Sequence, residues 1–237
     1  MPESDADSVI DAIRKRLIAI ADNPPYRYVN TSTKDRAVYE ANKRSFTGYT
    51  EQQIAAAETA LNVRFPTVYR SYLRIMGVTH GDLFCGSSVA SINDYSDHRK
   101  FAEELINESD VKWQLDEKAV VFLEHQGYMF CYFIADGSFD SPIHQYFESD
   151  ESAKQCSAGF AEMLDAEVAL AEQNNRNFRE SGGYFLTVQD GYVSHNHPAR
   201  ASGVRPLDLA DECPHDSDTV LRDSPSRPWW RFWQKEA

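Results

Sequence analysis

The chain has only four cysteines in 237 residues, and they lie far apart at Cys85, Cys131, Cys156 and Cys213. That scatter excludes a disulfide framework, and the absence of any CxxC pair excludes the usual structural-zinc and dithiol motifs. No apolar run approaches the ~18 residues that a membrane-spanning helix needs. The opening MPESDADS has no basic-then-apolar pattern of a secretory leader. These absences predict a cytoplasmic protein without stable membrane insertion. Motifs of common enzymes are missing too: there is no HExxH, no GxSxG, no useful glycine-rich phosphate loop and no internal repeat. Positive charge is also scarce, with 24 Lys and Arg against 37 Asp and Glu and a net charge of −13. Neutralising nucleic-acid phosphates requires a basic face, so nucleic acid is not the expected partner. An acidic balance leaves two readings: a solvated surface, or a face that speeds encounter with a basic partner.

What is present is a core. Hydrophobic residues make up 42% of the chain and aromatic residues 12%, enough to pack a globular domain. The stretch TEQQIAAAETALNVRFPTVYRSYLRIMG, residues 50–77, reads as two short helices joined at a proline. Thr50 and Gln53 have capping-box spacing. Ile54, Ala57 and Leu61 fall on one helical face. Pro66 suits the first turn of a second helix, with Tyr69, Tyr72, Leu73 and Met76 as its apolar stripe. Gly77 is expected as a left-handed residue after it.

Around this pair the periodicity predicts further elements. Residues 5–22 form a helix, stopped by Asn23-Pro24-Pro25. The polar link 26–49 holds a turn of helix near 35–43. Leu83, Phe84 and Cys85 are expected as a short strand, and residues 98–107 as a helix. Residues 119–124, 127–135 and 143–148 then read as an antiparallel meander, because its connections are too short for parallel crossovers. In the second of these strands both faces are apolar, as in a central strand. A helix at 157–174 and a hairpin at 183–193 follow. From Ser194 the composition shifts to Pro, Ser, His and Asp, and the sequence closes on RPWWRFWQKEA. The expected organisation is one α+β domain over 1–193, a mainly antiparallel sheet covered by helices. A C-terminal extension occupies 194–237.

Two stretches resemble the SUKH superfamily of Smi/Knr-type proteins. The first is a capped helix followed by a hydrophobic-Pro-x-x-Tyr-Arg step and a helix ending in Gly, carried here by Leu61, Phe65, Pro66, Tyr69, Arg70, Leu73 and Gly77. The second is VVFLEHQGYMFCYFIADGSFDSPIHQYFES, residues 120–149. Together they cover about 49–174. The resemblance implies a non-catalytic binding protein. Many bacterial members are immunity proteins that neutralise a cognate polymorphic toxin, often a nuclease, and fungal members are cell-wall regulatory scaffolds. A basic toxin would fit the charge, occluded by a tight, electrostatically steered complex.

The residues expected at such an interface are exposed acids and aromatics beside the strands: Asp136, Asp140, Tyr146, Glu148, Asp150 and Glu151. No catalytic, cofactor or metal residues are assigned. His80, Asp82 and Cys85 lack a nucleophile signature. His195, His197, Cys213 and His215 are zinc-type residues at a spacing that matches no common module. The carboxylates at 136/140 and 148/150/151 lie at turn ends, where solvation works against acid–base catalysis. Trp229, Trp230, Phe232 and Trp233 can dock on the domain, a partner or a membrane interface, with docking on the domain favoured.

Overall fold

The structure, a computed structural model, describes residues 3–196. In chain order the elements are α1 (Glu3–Asp22), β1 (Tyr26–Tyr28), α2 (Thr33–Lys43), β2 (Phe46–Thr47), α3 (Glu51–Leu61), α4 (Thr67–Met76), β3 (Thr79–His80), β4 (Ser88–Val89), α5 (Tyr95–Glu108), β5 (Ala119–His125), β6 (Met129–Ile134), β7 (Ile143–Phe147), β8 (Lys154–Ser157), α6 (Phe160–Glu180), β9 (Tyr184–Gln189) and β10 (Tyr192–Asn196). This is an α+β fold with mostly antiparallel sheets. The described residues divide into two compact units, 3–22 with 41–169 and 23–40 with 170–196. The Trp229–Trp233 run, His197, Cys213 and His215 lie outside the described residues.

In the first unit, the helix pair forms as its spacing predicts. The Gln53 N–H donates to Thr50 Oγ1 at 3.3 Å, and the Thr50 N–H donates to Gln53 Oε1 at 2.9 Å. The left-handed residue, however, is not Gly77. It is Asn62, at φ 53, closing α3, whereas Gly77 is right-handed at φ −75. Glycine is needed at 77 for room: a Cβ there would stand 2.6 Å from the Leu73 Cα.

The start of α4 has no side-chain cap. Its first N–H groups go instead to the β6–β7 turn: Thr67 donates to the Ser138 carbonyl and Val68 to the Phe139 carbonyl, each at 3.0 Å. Nearby, Glu58 is buried and accepts the Phe65 N–H at 2.8 Å while pairing with Arg70. Arg70 also reaches Glu51 at 2.5 Å. The Tyr69-Arg70 step therefore splits its work: the tyrosine enters the core and the arginine ties α4 to α3.

A five-stranded antiparallel sheet in the order β4-β5-β6-β7-β8 carries the core. Against one face of it, Ala102, Leu105 and Ile106 of α5 pack with Val121, Phe130, Tyr132 and Tyr146. On the other, Phe122 and Phe133 meet Tyr69 of α4 and Phe160 of α6, with Tyr69 centroids 4.6 Å from Phe133 and 5.0 Å from Phe160. Burying aromatic side chains of this size is the largest favourable contribution to such a core.

Two local expectations are corrected. Leu83–Cys85 is a turn, not a strand, because Phe84 sits at φ 57 and breaks the extension; the strands β3 and β4 flank it. The edge strand β8 was not expected, since its sequence Lys-Gln-Cys-Ser is short and polar.

In the second unit, β9 pairs in parallel with β1 and antiparallel with β10. Asp190 at φ 49 and Gly191 at φ 85 make the two-residue turn that favours this hairpin. Strand β10 runs to Asn196, so residues 194–196 are strand and not the start of an irregular tail. Thr31 Oγ1 accepts the Val188 N–H at 2.9 Å, and the Val29 N–H donates to the Leu186 carbonyl at 3.0 Å. The small core is Tyr26, Leu186 and Val188, bordered by Tyr28, Tyr39 and Tyr184.

Candidate partner-binding site

The six residues singled out from the sequence do not gather in one patch. They fall at the two ends of β7 and in the core between. At one end lies the β6–β7 turn. Asp136 is exposed, and its Oδ1 accepts the Ser138 N–H at 3.0 Å. The Ser138 N–H and hydroxyl hold its carboxyl below the ordinary range, and Lys118 adds to the effect. On the next residue, the Gly137 N–H donates to the Arg64 carbonyl at 2.9 Å.

Asp140 is taken up by the fold. Its Oδ1 accepts the N–H groups of Ser141 at 2.9 Å and Phe160 at 2.8 Å, and its Oδ2 accepts that of Ala161 at 3.1 Å. The last two are orphan donors at the start of α6, so Asp140 acts as that helix's cap from 20 residues upstream. Burial pushes its carboxyl above the ordinary value, the three N–H groups pull the other way, and Glu162 adds to the rise. The fit is close: a Cβ on Gly159 would stand 2.3 Å from Asp140 Oδ2.

Tyr146 is not an exposed aromatic. It is 0% exposed, with its ring stacked 5.5 Å from Trp113 and 5.3 Å from Phe130. The period-two alternation of β7 turns Tyr146 into the α5-covered face, which corrects the expectation that it is an exposed aromatic.

Glu148, Asp150 and Glu151 occupy the other end of β7. Five strand residues separate them from the first pair, roughly 17 Å of extended chain. Glu148 and Glu151 are exposed and Asp150 is half-buried, paired with Lys154 at 3.0 Å. The turn is held from both sides. The Glu148 N–H donates to the Tyr128 carbonyl at 2.8 Å, and the Ser149 N–H reaches Ser109 Oγ at 3.4 Å. Ser109 closes α5, so this bond brings the exposed Glu108 and Asp110 beside the same turn. Those two acids were missed because they lie about 40 residues away; the acidic end of α5 was visible, but its neighbour was not.

His80 Nδ1 is 3.4 Å from the Tyr72 hydroxyl, and Asp82 pairs with Lys43 at 2.6 Å. The Cys85 thiol is pushed up by burial and by Asp82, the wrong direction for a thiolate nucleophile. Ser87 Oγ lies 2.9 Å from His125 Nδ1, a pair that the sequence did not suggest. Burial pushes the His125 imidazole down. The His195 ring lies 5.3 Å from that of Tyr184, tilted at 58°. Among the described residues no group of three or more His, Cys, Asp or Glu is placed to hold a metal ion, and no helix is long and apolar enough to cross a membrane.

A search of curated proteins finds no match to the chain. Against known families, residues 48–166 match the SMI1 / KNR4 family (SUKH-1). The match begins just before the Thr50 cap and ends inside α6, so it takes in α3, α4, α5 and the whole five-stranded sheet. Spanning half of the sequence and both stretches that carried the resemblance, it places this chain in the SMI1/KNR4 (SUKH-1) family.

Proposed function

We propose that the chain is a non-catalytic immunity protein that binds and neutralises a cognate bacterial toxin, in the cytoplasm, through the acidic end of its five-stranded sheet. The observation that carries this reading is the group of acids at that end. Glu108, Asp110, Glu148 and Glu151 are exposed, and one hydrogen bond, from the Ser149 N–H to Ser109 Oγ, joins their two segments. A predominantly acidic cluster on a chain of net charge −13 raises the encounter rate with a basic partner. Family membership supports a role in protein–protein interaction. The mechanism is occlusion: the complex covers the toxin's working surface, and no bond is made or broken by the immunity protein. A nuclease is the toxin class whose basic, phosphate-binding surface best suits such a patch.

The test is co-expression with the product of the neighbouring gene, read as growth. Rescue that is lost with an unrelated toxin supports immunity. A harmless neighbour, or killing that persists, overturns it and favours the regulatory-scaffold role known for other members of the family.

A further inference from the structure

We propose that Met129, Cys131 and Cys156 form a binding site for one soft cation, Cu(I), on the α6 side of the five-stranded sheet. Three sulfur atoms meet there. Met129 and Cys131 are two residues apart on β6, so they share a face, and the Cys131 thiol lies 3.9 Å from Met129 Sδ. Both are closed off from water, Cys131 at 1% exposure and Met129 at 0%. Cys156 comes from β8, on the far side of β7. The β7–β8 register sets Ile143 against Ser157 and His144 against Gln155, which leaves Cys156 as the extra residue of a bulge. A bulge re-aims its side chain. Here the Cys156 thiol turns toward β7 and donates to the Ile143 carbonyl at 3.4 Å. It also reaches Cys131: contact with Cys156 pushes the Cys131 thiol up, ahead of burial.

Distance decides what such a pair of thiols can do. Two strand spacings separate the backbones of β6 and β8, roughly 9–10 Å. A disulfide holds its Cα atoms within about 7 Å, so these thiols cannot be joined as one without moving a strand. A metal ion asks for less: with thiolate–metal bonds of about 2.3 Å it bridges sulfurs roughly 4–5 Å apart. The ligand set then selects the ion. Two thiols and a thioether are all soft ligands. Among the described residues no third His, Cys, Asp or Glu is placed to complete the tetrahedral set of zinc, whereas Cu(I) accepts two or three sulfurs. Binding breaks two S–H bonds, forms two thiolate–copper bonds and a thioether contact, and releases two protons; the copper stays Cu(I). The site then carries one net negative charge. Glu167 of α6 acts on Cys131 and is itself pushed by burial up to about 7, so its carboxyl can stay neutral beside that charge. Half-buried Cys156, on the edge strand β8, is the point of entry.

The test is an anaerobic titration of the reduced full chain with Cu(I) against the chelator bicinchoninate, whose colour reports the copper it keeps. The natural chain also carries Cys85 and Cys213, so the reference is Cys85→Ser/Cys213→Ser. The expected result is one Cu(I) per chain in the reference, and roughly a hundredfold weaker binding once Cys131→Ala or Cys156→Ser removes a thiolate. Met129→Leu keeps the volume of the core and should weaken binding about tenfold. Should Cys131→Ala fail to fold, Cys156→Ser and Met129→Leu decide alone. Copper should also raise the urea midpoint of the reference and not that of the Cys156→Ser variant, as binding to the folded state requires. No copper taken by the reference, or uptake that Cys156→Ser leaves unchanged, overturns the proposal.

Discussion

The two ends of β7 carry the same kind of residue and put it to different use. At the β6–β7 turn, Asp140 spends its carboxylate on three backbone N–H groups, and Asp136 is engaged by Ser138. The same turn supplies the carbonyls that receive the first N–H groups of α4. At the β7–β8 turn the backbone is what is tied down, through Tyr128 and Ser109, and the carboxylates of Glu148 and Glu151 stay in water. An acid near a helix start is recruited by orphan donors; an acid on a turn with no such donors remains available to a partner.

The comparison can be tested in steps. Between the two ends sits Tyr146, and Tyr146→Ala should cost about 3–5 kcal/mol in urea unfolding, as for a large aromatic in a closed core. A loss below 1 kcal/mol would mean that the ring is not packed as described. Glu167, on α6, sharpens the contrast because burial alone pushes its carboxyl up to about 7. Its charged form is disfavoured in the fold, so its contribution to stability is full below the unfolded value of 4.5 and is lost as pH rises through 7. Glu167→Gln should therefore gain about 2 kcal/mol over the natural chain at pH 8 and nothing at pH 4, measured by urea unfolding at both. Asp140→Ala removes the cap of α6 and should cost about 1–2 kcal/mol, read in the same assay. Smallest of all, Glu148→Lys with Glu151→Lys should change stability by less than about 0.5 kcal/mol, because these side chains hold nothing together.

Much of the first unit was legible in the sequence, and the reasons are local. The Thr50–Gln53 box, Pro66 and the two-sided apolar strand β6 each state their structure within a few residues. What was not legible depends on distance. Strand β1 is three residues long and finds β9 158 residues later, Tyr26 opposite Tyr184. Asp140 meets α6 across 20 residues and looks, in sequence, like any turn aspartate. Gly77 sits at a helix end, as a left-handed residue would, but is glycine because of its neighbour Leu73. Tyr146 was misplaced because strand alternation says which residues share a face, not which face a helix covers.

The proposed toxin interface rests on the acidic end of the sheet, and its most direct test is an affinity comparison. The toxin identified by co-expression would be titrated against the natural protein, against Glu148→Lys/Glu151→Lys and against Asp136→Lys. The account predicts at least a tenfold loss of affinity for the double variant, mostly in the association rate and smaller at high salt, with little change for Asp136→Lys. Unchanged affinity in the double variant, or a larger loss at Asp136, would contradict it and move the interface to another face.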